Sequence, residues 1–307
     1  MFVSSLALLT FFVALFGACI GSFLSVCIYR IPRDESIVRP RSHCPSCNTM
    51  IPWYFNIPVL SWIMLGGKCH FCKARISPRY LILEVFTALL FTVVWFQVLS
   101  GMMMTDGELQ LWMPHGNDLL APASNAPLGL TPLPAWALLP AYWLVLWGLI
   151  LGTFVDLEHY IIPDRVTIGG IIAGLVISAL VPELHFTLSW KTSLIRSVIG
   201  LAAGFGGLWL IAIIGEFAFK KEAMGFGDVK LMGAIGAFFG WKAVIFVLLS
   251  ASLFGSIVGV GLIALGKRQL QGRIPFGPFL ALGTLLWMFW GRALVSAYMR
   301  FLLPPMA

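Results

Sequence analysis

Residues 136–165 read WALLPAYWLVLWGLILGTFVDLEHYIIPDR. From Trp136 to Val155 there are 20 residues without a charge, about the length a helix needs to cross the hydrocarbon core of a bilayer. Asp156 follows at once, ahead of Glu158, His159 and the Pro163-Asp164 step. A carboxylate at a membrane boundary is costly to keep there, which makes it a candidate for function. Outward from this stretch, apolar runs recur at Leu6–Tyr29, Leu81–Ser100, Val166–Val181, Ser197–Phe217, Val229–Phe239, Val244–Leu265 and Phe276–Phe301. They predict an all-α, polytopic transmembrane helical bundle of about eight spans. Val229–Phe239 holds only 11 residues, too few to cross unaided, and is expected to be a half-helix buried in protein and turning at Gly240-Trp241.

The composition agrees. Of 307 residues 59% are hydrophobic and 11% charged, with a mean hydropathy of +0.92, whereas a soluble domain is roughly 25% charged. The net charge of +7 does not point to nucleic acid, because the basic residues sit between spans, where lipid headgroups and the positive-inside rule account for them. Residues 30–79 hold eight Lys and Arg against two acids, and residues 218–230 and 266–273 hold three each; these loops are expected on the cytoplasmic side. Residues 101–135 have no Lys or Arg and carry Asp106, Glu108 and Asp118, as suits a periplasmic loop. Parity then puts both termini outside. The N-terminal run lacks a basic region ahead of it and is followed by Arg30 and Arg33, the pattern of an uncleaved anchor. The domains expected are a first span over 1–29, a small cytoplasmic domain over 30–79 and a transmembrane domain over 80–307. No internal repeat is evident.

Within the small domain, Cys44-Pro45-Ser46-Cys47 and Cys69-His70-Phe71-Cys72 form two CxxC units separated by 21 residues. Two thiolates from each turn would complete a closed tetrahedral shell, so Cys44, Cys47, Cys69 and Cys72 are expected to hold a structural zinc ion that staples a domain too small for a core of its own. Disulfides, the alternative, do not suit a reducing cytosol. His43 and His70 are at most spare ligands. Cys19 and Cys27, inside the first span, read as small buried apolar residues.

Met224-Gly225-Phe226-Gly227-Asp228 opens the short sixth run. The expected topology has Asp156 ending a helix that arrives at the cytoplasmic face and Asp228 starting one that leaves it, so the two meet at similar depth though 72 residues apart. Two carboxyls brought together do not both ionise cheaply, and the split suits aspartyl proteolysis: one activates water while the other, protonated, serves the scissile carbonyl. Gly225 and Gly227 would let a substrate strand approach the backbone and permit angles closed to other residues. Plainer readings stand beside this one. Asp228 and Asp164 could each cap a helix N-terminus, Glu158 and His159 could be interface residues, and Glu84 could pair with an Arg. A transporter using Asp156 and Asp228 as proton or cation ligands is the alternative from another class, and a zinc-dependent membrane scaffold is a third.

Taken in order, several segments resemble the bacterial type IV prepilin peptidases. They are Gly21 to Pro32 (GSFLSVCIYRIP), the two CxxC pairs with Asn56 to Trp62 (NIPVLSW) between them, Ile76 to Tyr80 (ISPRY) leading to Glu84, Asp156 with Ile162-Pro163-Asp164, and Gly225 to Asp228 (GFGD). The resemblance covers nearly the whole chain. It implies a cell inner-membrane enzyme that cleaves the basic leader of prepilins or pseudopilins on the cytoplasmic side with Asp156 and Asp228. The same enzyme then methylates the exposed amine from S-adenosylmethionine. Gly67 and Lys68 match positions the family links to methylation, and Glu158, Asp164 and Glu222 are candidates for contact with a basic leader. The partners implied are prepilin substrates and membrane lipid, without nucleic acid; self-association is left open. Ser25 and Leu81 depart from the Asn and Pro common in the family, near the proposed methylation region.

Overall fold

Apolar segments surrounded by lipid must pair their own N–H and C=O groups, and the helix does this within one segment. The computed structural model, which describes residues 2–103, 137–185, 187, 189–220, 224–265, 275–291, 293–295 and 297–298, is accordingly helical. Its helices are α1 (Phe2–Arg30), α2 (Leu60–Met64), α3 (Pro78–Met103), α4 (Leu138–His159), α5 (Asp164–Leu180), α6 (Trp190–Phe219), α7 (Phe226–Ala264) and α8 (Gly277–Leu286), the last running into a π-helical turn, Trp287–Gly291. Among the described residues no strand forms, only the isolated bridges His43–Met50 and Lys68–Arg75. Among the described residues five helices, α1, α3, α4, α6 and α7, are long and apolar enough to cross a membrane. This is a multi-pass membrane protein. The expected loop 101–135, residues 221–223 with Glu222, the basic loop 266–273 and the end of the last run fall mostly or wholly outside the described residues.

Helix α7 contains the expected turn. Its 39 residues are continuous except at Gly240, whose φ of 77° and ψ of 174° are not helical and lie in a region open essentially to glycine. The half before the break is buried almost throughout, from Asp228 to Phe238. Helix α6 begins at Trp190, seven residues before the apolar run at Ser197. In these first turns Arg196 donates from Nη1 to the His185 carbonyl at 2.6 Å, while its Nε is buried without a partner.

The chain divides into two compact units, formed by the described residues of Met1–Gly107 with Leu139–Leu151 and of Glu108–Leu138 with Gly152–Ala307. In the first, α1 and α3 cross where Gly17 and Gly21 face the Cα atoms of Ala88 and Glu84, 2.8 and 2.7 Å from where a Cβ would stand. This is a GxxxG contact, in which small residues let two backbones close without a hydrophobic drive in lipid. The Phe91 and Trp143 rings stack at 5.3 Å. In the second unit, Gly200 and Gly204 of α6 lie on the α7 backbone at Gly236 and Met232, and Gly170 and Gly174 of α5 lie on Ala234 and Ala237. The buried half of α7 is thereby held between α5 and α6 through side chains too small to flex.

Candidate functional site

The small domain begins with Arg30, buried at the end of α1, which donates to the Ser36 and Pro40 carbonyls at 2.9 and 2.8 Å. Beyond it the two CxxC units fold alike. The N–H of Cys44 donates to Thr49 O and that of Asn48 to Cys44 O; the N–H of Cys69 donates to Ala74 O and that of Lys73 to Cys69 O. Asn48 and Lys73 take left-handed φ values of 57° and 59°. The structure thus contains a repeat the sequence hides, because the turn geometry is carried by backbone and only the cysteines must match.

The four cysteine sulfurs lie within 4.8 Å of one another, and Cys44 Sγ stands 3.8 Å from Cys72 Sγ. A tetrahedron of roughly 2.3 Å zinc–sulfur bonds has edges of about 3.8 Å, so the cluster fits a metal ion of that kind. Backbone N–H groups of Cys47 and Ser46 hold the Cys44 thiol below its ordinary range, and those of Cys72 and Phe71 do the same for Cys69. At Cys72 the Ala74 N–H lowers the pKa, but desolvation and the three neighbouring sulfurs push it up to about 11. Four thiols this close compete for ionisation, and a dication removes the competition. His43 and His70 are exposed and not among the clustered ligands; the His70 ring stacks on Phe55 at 4.4 Å. Cys27 is buried as expected, but Cys19 is exposed on α1.

Gly67 has a φ of 66° and lies against the Trp62 ring, 2.8 Å from where a Cβ would stand. It and Lys68 line a cavity of about 360 Å³ with Trp62, Arg75, Ser77 and Pro78. Lys68 and Arg75 are directly paired across their bridge. Two like charges opposite one another are unfavourable, and they favour an anionic group in the cavity. The buried Glu84 has a partner other than the arginine expected: its Oε2 accepts the N–H of Val59 at 2.7 Å. Val59 has a φ of 63°, so the carboxylate clamps a strained turn.

In the second unit the aspartates are carried by opposite helix ends. Asp156 lies in the last turn of α4, which runs on to His159 and closes at the left-handed Tyr160, whose N–H returns to Asp156 O. Asp228 lies in the first turn of α7. They are 5% and 8% exposed, and the Asp156 charge acts on Asp228. Ile162 knits the pair together. Its Cδ1 would stand 3.1 Å from a Cβ on Gly277, where Asp156 Oδ2 would be 2.7 Å away, and its Cβ would stand 3.2 Å from a Cβ on Gly227. The N–H of Gly277, at the start of α8, donates to Asp156 Oδ2 at 3.0 Å. Asp228 Oδ2 lies 3.5 Å from where a Cβ on Gly225 would stand, no side-chain cap bond closes this helix end, and Oδ1 is buried with no partner. A buried carboxylate oxygen left unpaired is expensive, and a cap alone would not require it.

Neither Gly225 nor Gly227 uses the special angles expected of it: both have ordinary backbones, and Gly227 makes room for Ile162. Asp164 is in the first turn of α5 without a side-chain cap bond and pairs with Lys230 of α7 at 2.6 Å. His159, one turn on from Asp156, buries an unpartnered Nε2, and Glu158 is exposed. The sequence reading missed Gly277 and named Ile162 only within the resembling segment, without a role; the Gly277-Pro278 step that starts α8 was the available signal for the first.

Fold and site together define a polytopic helical membrane protein with a buried pair of carboxyls at helix ends and a separate four-cysteine cluster. Residues 15–98 match the Bacterial Peptidase A24 N-terminal domain, and residues 143–260 match the Type IV leader peptidase family. The chain is 34% identical to a prepilin leader peptidase/N-methyltransferase of Aeromonas salmonicida strain A449, over 95% of this chain and 94% of the relative. It is 34% identical to that of Aeromonas hydrophila, over 94% and 92%, and 31% identical to that of Pseudomonas aeruginosa, over 94% and 92%. No solved structure matches it. The chain belongs to the type IV leader peptidase family.

Proposed function

We propose that this chain is a cell inner-membrane enzyme that cleaves the leader of prepilins or pseudopilins at the cytoplasmic face with Asp156 and Asp228, then methylates the new N-terminus. The observation that carries the reading is the burial of two carboxyls from helix ends 72 residues apart, in a chain whose relatives are named for both activities. In the cleavage step one carboxylate takes a proton from water. The hydroxyl oxygen bonds the scissile carbonyl carbon while the other carboxyl donates its proton to the carbonyl oxygen. Collapse breaks the C–N bond, and a proton passes to the departing amine. Gly277 holds Asp156 in place by its N–H. The buried, unpaired Asp228 Oδ1 is free to take up the water or the carbonyl. A transporter would also place acids at helix ends, but its relatives would not carry these names.

Residues 30–79 form the zinc-binding, methylation-associated domain in this reading, and 80–307 the peptidase domain. Cys44, Cys47, Cys69 and Cys72 hold a structural zinc ion. S-adenosylmethionine, when bound, supplies the methyl group; Gly67 and Lys68 would bind it, with Trp62 and Arg75 in the same cavity offering a ring and a second cation for its adenine and carboxylate. Glu158, Asp164 and Glu222 are candidates for the basic leader, though Asp164 first has Lys230 to release. The test replaces Asp156 and Asp228 singly by Asn. Each variant is expected to lose cleavage by about 10³-fold or more, with methylation of pre-cleaved pilin retained; full cleavage by either refutes the pair.

A further inference from the structure

The break in α7 leaves a chemical problem on the far side of the site. A helix that ends at Phe239 strands the carbonyls of its last four residues, and Ala237 O is one of these, deep in the protein. Ser197 of α6 donates to it at 2.7 Å, and His185 Nε2 lies 3.2 Å from it. Ser178 Oγ of α5 stands 2.6 Å from Gly174 O, 3.3 Å from Ala237 O and 3.0 Å from the same His185 nitrogen. Ser178, His185 and Ser197 are all buried.

Each serine has one proton: Ser197 gives its own to Ala237 O at 2.7 Å, and Ser178, 2.6 Å from Gly174 O and 3.3 Å from Ala237 O, gives its own to the nearer carbonyl. With the Ser178 proton placed there, a proton on His185 Nε2 serves Ser178 Oγ and Ala237 O together. His185 Nδ1 faces Gly240, 3.7 Å from where a Cβ there would stand, and the His185 carbonyl is tied to Arg196. Burial pushes the imidazole down to about 4, opposed by the Ala237 carbonyl and helped by the Arg196 charge, so it is neutral and can carry this single-proton tautomer. One residue thereby links three elements: the His185 imidazole joins the end of α5 to the carbonyl end of the half-helix, and the His185 carbonyl holds Arg196 at the start of α6.

That half-helix is packed on α5 and α6 through glycine and alanine and has little side-chain slack. It therefore moves as a rod. Asp228 sits nine residues from Ala237, about 14 Å along a helix axis. We infer that His185, acting with Ser178 and Ser197 on the Ala237 carbonyl, is a positioning residue for peptide cleavage: it fixes the rotation and depth of the broken helix and so where Asp228 stands against Asp156.

The inference rests on the aspartyl reading proposed above, and its test separates the two. His185→Leu, His185→Gln and Ser197→Ala are assayed in membranes beside Asp228→Asn, for leader cleavage, for its pH–rate profile and for methylation of pre-cleaved pilin. Gln can return a donor near the Nε2 position, Leu cannot. His185→Leu should lower kcat for cleavage by roughly 10- to 100-fold with KM little changed, as for a misplaced catalytic group. Its pH profile should shift, because the coupling between the two carboxyls depends on their separation. Methylation should hold, His185→Gln should recover most of the rate, and Ser197→Ala should lie between. Wild-type kcat and pH profile in both His185→Leu and Ser197→Ala would overturn the inference. So would equal losses of cleavage, methylation and protein level without rescue by Gln. Full cleavage by Asp228→Asn would instead remove the aspartyl reading, whatever His185 does.

Discussion

A single added methyl group tests how closely Asp156 is fitted. At Gly277 a Cβ would stand 2.7 Å from Asp156 Oδ2 and 3.1 Å from Ile162 Cδ1, so Gly277→Ala must displace the carboxyl that its own N–H holds. Catalytic groups moved by about 1 Å lose on the order of 10²-fold in rate. Gly277→Ala is accordingly expected to lower kcat for cleavage by about 10- to 100-fold while leaving KM and methylation near wild type, as steady-state kinetics on a prepilin peptide would record. A parent-like kcat would mean that Asp156 does not need this placement. The sequence exposes the aspartates and the cysteines for one reason: charge in an apolar setting and paired thiols at fixed spacing are costly unless something uses them. Gly277 and Ile162 carry no such cost. A glycine before a proline and an isoleucine among isoleucines look ordinary until the fold brings them against a carboxyl.

Among the elements, the two cysteine knuckles and the polar link beside the helix break make separate predictions. With little apolar core over residues 30–79, a metal held by the four proposed thiol ligands would supply the domain's order. Cys44→Ser should therefore reduce bound zinc, measured by metal analysis of the purified protein, to under about a tenth of the parent's. The same variant should open the domain to proteolysis between Arg33 and Lys73. Parent-like zinc and protease resistance would sink the four-thiol assignment. The link at His185 has a sign that can be worked out. Its folded-state pKa lies near 4 against 6.5 free, so between these values the unfolded chain binds the extra proton and stability falls as pH falls. The window is worth at most about 3 kcal/mol. Thermal unfolding in detergent should show a midpoint that drops between pH 6.5 and 4, and His185→Gln should flatten that part of the drop; an equal slope in both proteins would contradict the buried neutral imidazole. The break itself was readable, because 11 apolar residues ahead of a Gly-Trp step cannot cross a bilayer. What holds it was not. Ser178, His185 and Ser197 come from three elements, and hydrogen bonds to one freed carbonyl leave no periodicity in sequence. The early start of α6 was missed for a related reason, since its first turns are polar and the partner of Arg196 there is a distant backbone carbonyl.

Across the whole molecule, one topology has to serve every site at once. In the proposed topology the basic segments 30–79 and 218–230 are expected on one side by the positive-inside rule, and the turn between α5 and α6, which carries His185, on the other. Single-cysteine positions at exposed sites separate the cases: Glu35→Cys and Lys220→Cys for the first side, Ser189→Cys for the second. An impermeant maleimide added to intact cells whose outer membrane has been opened should label Ser189→Cys above the parent background and spare the other two, and inverted inner-membrane vesicles should reverse the pattern. The expectation comes from hydropathy and loop charge, which are global properties, insensitive to how any helix packs. The five helices of crossing length do not by themselves decide it, since the shorter α5 and α8 and the divided α7 set the parity. If Glu35→Cys and Lys220→Cys were labelled from opposite sides, the number of crossings between α1 and α7 would be odd. The basic leader, the four-cysteine domain and the aspartate at the start of α7 could then not share a compartment, and cleavage followed by methylation on one face would be impossible for this chain.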